Sequence, residues 1–329
     1  MVNGQMPARM LLFVAIGEFL GLTLWFSATA AAPAIAAEFG LTGSGTAWLT
    51  MAVQAGFVAG TLISAAGNLA DVLNARRLFA AGCAAGALAN AAITMTESAE
   101  AVIALRFATG AALACGYPPS QDRRGLVSRT PRYRARHRRR RADDRFCVST
   151  PACVDMWELY AMWAWIPAFA AASMAVRGEA DVRSASLVAF VAIASGAIGC
   201  VMAGRWADTW GKARIAGSAM VVSAACATVS GFAFGGPLAL LLVLAVVWGF
   251  SVVADSAQFS ALVSEFSPRT HVGTALTLQT CAGFLLTMAS LRLLPAAATA
   301  FGWQWVFLLL VPGPFLGALA MRRLAATTH

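Results

Sequence analysis

Charge is scarce in this chain. Only 12% of its 329 residues are Asp, Glu, Lys or Arg, while 59% are hydrophobic. A soluble domain carries about 25% charged residues, so an ordinary soluble fold is excluded. The mean hydropathy of +0.71 predicts an all-helical integral membrane protein with many spans. Metal and redox chemistry also lack their residues. The seven cysteines are scattered, mostly within apolar stretches, with no CxxC pair and no Cys/His cluster. They read as small apolar packing residues, and neither a metal site nor a cofactor is expected. No GxxxxGK(S/T) loop and no nucleophile constellation is present, which argues against an ATP-driven pump and against an enzyme. The N-terminus shows no signal-peptide cleavage pattern, and its first apolar stretch is long enough for a retained span.

What is present is a series of apolar runs separated by short turns. A helix crosses a bilayer in about 20 apolar residues. That rule predicts ten spans, near 10–32, 47–66, 77–95, 101–119, 155–175, 186–204, 213–233, 236–256, 273–296 and 303–321. Basic residues fall on alternate turns: Arg9, then Arg76 and Arg77, then Arg205, Lys212 and Arg214, then Arg269, Arg322 and Arg323. This bias predicts cytoplasmic termini and a bacterial inner (plasma) membrane, with Arg177 and Arg183 as exceptions. Trp48, Trp206, Trp210, Trp303 and Trp305 sit near span ends, where indole favours the interface. Small residues fill the spans, as in Ala80-Ala-Gly-Cys-Ala-Ala-Gly-Ala87, and permit close helix packing in lipid.

One polar turn occurs twice. Gly67-Asn-Leu-Ala-Asp71-Val-Leu-Asn-Ala-Arg76-Arg77 returns as Gly204-Arg-Trp-Ala-Asp208-Thr-Trp-Gly211-Lys212-Ala-Arg214, each copy between two apolar runs. Two copies in equivalent settings predict a chain built of two related halves.

The turn resembles the signature between the second and third helices of major facilitator superfamily transporters. Gly67, Asp71 and Arg76 match in the first copy, and Gly204, Asp208, Gly211 and Lys212 in the second. Asn74 stands where glycine is usual and suits the left-handed backbone expected there. Arg106-Phe-Ala-Thr-Gly110 is similar to the Arg-x-x-x-Gly pattern of the family's fourth helix. Ala254-Asp-Ser-Ala-Gln258-Phe-Ser-Ala-Leu262 resembles permeases of the nitrate/nitrite or cyanate type. The resemblance implies two helical bundles that rock about a central site. The repeated turns, with Gly67, Asp71, Arg76, Arg77, Gly204, Asp208, Gly211, Lys212 and Arg214, would latch the cytoplasmic gate. It implies a monomeric secondary transporter of a small solute, with an anion and a coupling proton both open, and no nucleic-acid partner.

The duplication fails at one place. The two copies of the turn start 137 residues apart, too few for six spans. Between Arg123 and Arg145 lie eleven arginines and, with Asp122, three aspartates, which account for +8 of the chain's +9 net charge. Each Arg at a helix centre costs about 2.5 kcal/mol or more on the insertion scale. Residues 1–119 therefore read as a half with four helices, 120–153 as an arginine-rich linker outside the membrane, and 154–329 as a half with six. By resemblance the fifth and sixth helices are missing. Three readings of the linker stand: a phosphate-binding patch, a solvated loop, or out-of-frame translation. The last makes the chain a damaged, non-transporting remnant.

Ionisable residues inside spans are default candidates for function. Glu18, with Leu22, Trp25 and Thr29 on its face, either lines a cavity or reaches water. Glu158, with Met162 and Trp165, occupies the equivalent place in the second half. Arg106 is a candidate anion or proton-coupling contact, against a structural ion pair. Asp255 and Gln258 share a face near the predicted cytoplasmic end and suit a gate. Gln279 and Arg292 are further polar residues, and Tyr160, Trp163 and Trp165 suit packing more than solute stacking.

Overall fold

The computed structural model describes residues 43–115, 141–267 and 272–327, apart from 68 and 180, together with isolated positions between 16 and 41. Among them there is no strand. The helices are α1 (Gly43–Ala66), α2 (Ala75–Ala92), α3 (Ala99–Ala114), α4 (Arg141–Val176), α5 (Val182–Trp210), α6 (Lys212–Ala233), α7 (Leu238–Ala254), α8 (Ser256–Phe266), α9 (Val272–Phe301) and α10 (Pro312–Thr327).

Seven segments among the described residues are long and apolar enough to cross a membrane: Arg76–Met95, Val154–Val176, Arg183–Trp210, Lys212–Ala233, Leu238–Glu265, Ala275–Phe301 and Val306–Ala326. The expected span at 47–66 is a helix whose apolar part, Met51–Ser64, is shorter. The one at 101–119 is the 16-residue α3. The one at 10–32 lies largely outside the described residues.

The chain divides into two compact units, Met1–Arg139 with Ser267–Cys281, and Arg140–Phe266 with Ala282–His329. Each repeats one packing scheme. The helix entering the repeated turn, α1 or α5, packs most extensively against the second helix after it, α3 or α7. Glycine makes both approaches possible. A Cβ on Gly110 of α3 would lie 1.9 Å from the Val53 carbonyl oxygen of α1, and one on Gly56 of α1 would lie 1.9 Å from that of Phe107. In the second unit a Cβ on Gly249 of α7 would lie 1.9 Å from the Ala192 oxygen of α5. Lipid offers no hydrophobic drive to pair helices, so such close packing is what holds them. The second unit adds an aromatic core in which Trp248, fully buried, meets Phe307 edge-on at 5.0 Å.

Local chemistry sets the helix starts. Asp181 caps α5 and accepts hydrogen bonds from the Ser184 hydroxyl (2.7 Å) and the backbone N–H groups of Arg183 and Ser184. The Ser184 hydroxyl and these N–H groups hold its carboxyl below the ordinary value. Its capping contribution is therefore present above the ordinary carboxylate range and fades as pH falls through that lowered value. The two exceptions to the charge bias each sit beside an acid: Arg177 pairs with Glu179 at 3.3 Å, and Arg183 follows Asp181.

Three features of the structure bear on the sequence reading. Asn74 is not left-handed: its φ is −65° and its Oδ1 caps α2, accepting from the N–H groups of Arg76 (3.1 Å) and Arg77 (3.4 Å). Its counterpart Gly211, with no side chain to cap with, does turn through φ +89°. Asn and Gly thus solve the same turn differently. Asn74→Ala is expected to lower stability by about 1 kcal/mol, the usual cost of a lost N-cap, read as a fall in melting temperature in detergent. Second, α4 begins at Arg141, so the last thirteen residues of the 120–153 linker are helical. Third, the helical rod starting at Leu238 does not stop near 256. It turns at Asp255 and continues as α8, so the span runs to Glu265 and Asp255 lies well inside it.

Candidate functional site

Polar side chains buried within a membrane unit must find partners there, since no water is at hand. In the second unit they gather around three acids. Asp155 and Glu158 lie three residues apart on α4, on one face. Asp255 sits at the break between α7 and α8, its carbonyl accepting from the N–H groups of Gln258 (2.8 Å) and Phe259 (3.0 Å). The three are 4%, 2% and 1% exposed.

Two sub-sites result. In one, the Ser256 hydroxyl donates to Asp155 Oδ2 at 2.8 Å, which ties Asp155 to the residue that follows Asp255. Asp255 Oδ1 is buried with no partner among the described residues. In the other, Glu158 Oε1 accepts from the Ser223 hydroxyl of α6 and the Trp248 indole N–H of α7, both at 2.8 Å. Glu158 therefore ties three helices together inside the unit. Met162, predicted on the same face, is fully buried in that core. Trp165 donates its indole N–H to the Leu291 carbonyl of α9 at 3.1 Å.

The first unit holds Arg106, fully buried on α3. Its guanidinium donates to the carbonyls of Leu49 (Nε, 3.2 Å), Leu24 (Nη1, 3.4 Å) and Trp25 (Nη2, 2.8 Å). Three backbone carbonyls from two segments are thus drawn onto one cation, a clamp on the unit's interior. Trp25 is brought to it and packs edge-on against Phe57 at 5.4 Å. Glu18 lies outside the described residues.

The repeated turns differ in detail. In the first, the Gly67 N–H closes α1 on the Ile63 carbonyl (2.9 Å), and Arg76 and Arg77 are exposed. Asp71 lies in a single helical turn, Leu69–Val72, and its side chain is outside the described set. In the second, α5 runs unbroken through Gly204 and Asp208 to Trp210, and Asp208 and Arg214 are exposed. Lys212 forms an ion pair with Glu265 near the end of α8, so this copy of the turn is fastened to the helix that begins just after Asp255. Gln258 is buried on α8, Gln279 is half-buried on the part of α9 belonging to the first unit, and Arg292 is exposed.

Sequence reasoning singled out Glu158 and Asp255 but missed Asp155, Ser223, Trp248 and Ser256. Asp155 had a signal, an acid three residues before Glu158, yet it fell at the drawn edge of the span. Among the described residues no group of three or more His, Cys, Asp or Glu is placed to hold a metal ion.

The model of the Major Facilitator Superfamily matches residues 14–122 and 153–328. Among solved structures the chain is similar to the crystal structure of a bacterial homologue of the iron transporter ferroportin in its outward-facing state. The TM-score is 0.69 at 11% identity, covering 95% of this chain and 98% of that one, a likeness of fold. No curated protein matches the chain.

Proposed function

The chain belongs to the Major Facilitator Superfamily and is an integral, multi-pass membrane transporter rather than an enzyme; on that footing we propose that it moves a small solute by proton-coupled alternating access. The observation that carries the proton is the gathering of buried acids in the second unit, where the Ser256 hydroxyl ties Asp155 to the residue that follows Asp255. Discontinuous helices commonly mark solute and ion sites in transporters. The charge of this unit's interior favours a cationic or neutral solute. Arg106, the candidate anion contact, gives three of its donors to backbone carbonyls.

The proposal includes the organisation read from the sequence: four helices in 1–119, six in 154–329, cytoplasmic termini in a bacterial inner membrane, and the two Gly/Asp turns as a cytoplasmic latch. Uptake by the purified protein in liposomes enclosing a pH-sensitive dye tests it. A solute gradient is expected to move protons, and a pH gradient to move solute. No uptake of any tested solute under any imposed ion gradient would overturn it.

One observation favours a second reading, a remnant that no longer transports. The family match stops at 122 and resumes at 153, and the arginine-rich stretch fills the gap. Translating the coding DNA from Tyr117 to Asp155 in all three frames decides between them. An apolar helix in another frame would make the stretch a product of a shifted frame; its absence would make the stretch native.

A further inference from the structure

We propose that α9 carries a hinge at Pro295 and that Trp165 of α4 is the clasp that holds it. The inference concerns the second unit alone and does not depend on the solute. Pro295 lies inside α9, six residues before its end at Phe301. Proline has no N–H to give, so the carbonyl four residues earlier, that of Leu291, loses its helical partner. Within a membrane such an orphan must be satisfied by a neighbour. The structure supplies one: the Trp165 indole N–H donates to the Leu291 oxygen at 3.1 Å.

The bond is set so that α9 is fixed on one side of the proline and released on the other. Before it, Thr287 donates its hydroxyl to the Met156 carbonyl of α4 at 2.8 Å, and Leu291 and Leu294 are buried. After it, Ala298 alone is buried, while Ala296, Thr299, Ala300 and Phe301 are exposed. Trp165 also packs against Trp303, just past the helix end, with ring centroids 6.0 Å apart. One side chain thus holds the freed carbonyl and touches the segment beyond the hinge. Breaking a single hydrogen bond lets α9 bend further, and remaking it straightens the helix. Trp165, read in the sequence as suited to packing more than to solute stacking, is a positioning residue on this reading.

Amide hydrogen exchange of the purified full-length protein, resolved by segment, tests the hinge without knowledge of the solute, because exchange reports local opening. In the wild type, residues 295–301 are expected to exchange faster than residues 283–290. Trp165→Phe keeps the ring and removes the donor. It is expected to speed exchange at 291–301 by about tenfold, as the loss of one net hydrogen bond implies, and to leave α6 unchanged. Pro295→Ala restores a backbone N–H to Leu291 and is expected to slow exchange there. The deciding variant is the double one. In a Pro295→Ala background Trp165→Phe should have no effect, since the carbonyl then has its own partner. An equal effect of Trp165→Phe in both backgrounds would overturn the clasp, as would no effect in either. Equal exchange on the two sides of the proline would overturn the hinge. Should Trp165→Phe alone fail to fold, folding of the double variant supports the clasp and its failure overturns it.

Discussion

Asp255→Asn is expected to abolish uphill transport while leaving solute exchange intact. Asparagine has nearly the shape of aspartate, but it can neither take up nor release a proton. Asp255 is buried, as are Asp155 and Glu158 of α4, and the Ser256 hydroxyl ties Asp155 to the residue that follows Asp255. A carboxyl group in a dry interior near other carboxyl groups can take up and release a proton as its surroundings change. On the proposed coupling, uptake and release of a proton at Asp255 link solute movement to the gradient. One pH unit is worth about 1.4 kcal/mol per proton, enough for about tenfold accumulation of a neutral solute with one proton coupled. The wild type in liposomes should reach that level and Asp255→Asn should stop at equality, with labelled solute still exchanging across the membrane. Asp255→Glu keeps a titratable group and should retain part of the accumulation. Accumulation by Asp255→Asn equal to the wild type would remove Asp255 from the coupling mechanism, and loss of exchange would make Asp255 a solute contact instead.

Features set by local backbone or by spacing along one helix could be read from the chain. Gly67 and Gly204 showed the duplication because a repeated turn leaves its requirements in the sequence. Glu158 stood out because a lone acid in an apolar run is costly wherever it faces. Roles fixed by a distant partner were hidden. Nothing near Trp165 indicates that its indole meets the carbonyl of Leu291, 126 residues on, although Pro295 does announce that some carbonyl is left open. Asp255 was placed near a membrane surface because hydropathy fades after residue 256, whereas the helix continues with Ser256 and Gln258 turned inward. Asn74 was misjudged because the same residue serves a left-handed turn and an N-cap, and only the tertiary path chooses between them. The first unit yielded least, for Arg106 is satisfied by carbonyls that leave no mark on sequence.

Glycines that are identical on paper should respond to alanine with opposite signs. At Gly110 an added Cβ would lie 1.9 Å from the Val53 oxygen, and at Gly249 1.9 Å from the Ala192 oxygen. Both obstacles are backbone, which cannot rotate aside, so α1 must part from α3 or α5 from α7. Overpacking of this kind costs about 1–3 kcal/mol and more where the backbone itself must move. In a membrane unit held by packing, the helix pair has little else to keep it closed. Gly110→Ala and Gly249→Ala are each expected to cut the yield of folded protein sharply and lower its melting temperature in detergent, and valine at either site to prevent folding. Gly204 lies in α5 with nothing within 4 Å of its would-be Cβ. There alanine only removes the conformational freedom of glycine and should stabilise the helix by about 0.5–1 kcal/mol. If Gly249→Ala melts as the wild type does, the approach of α5 to α7 is looser than these distances require. If Gly110→Ala fails while Gly249→Ala does not, the two units close by different means despite their common plan. If Gly204→Ala also fails, the turn it opens demands glycine for a reason other than space.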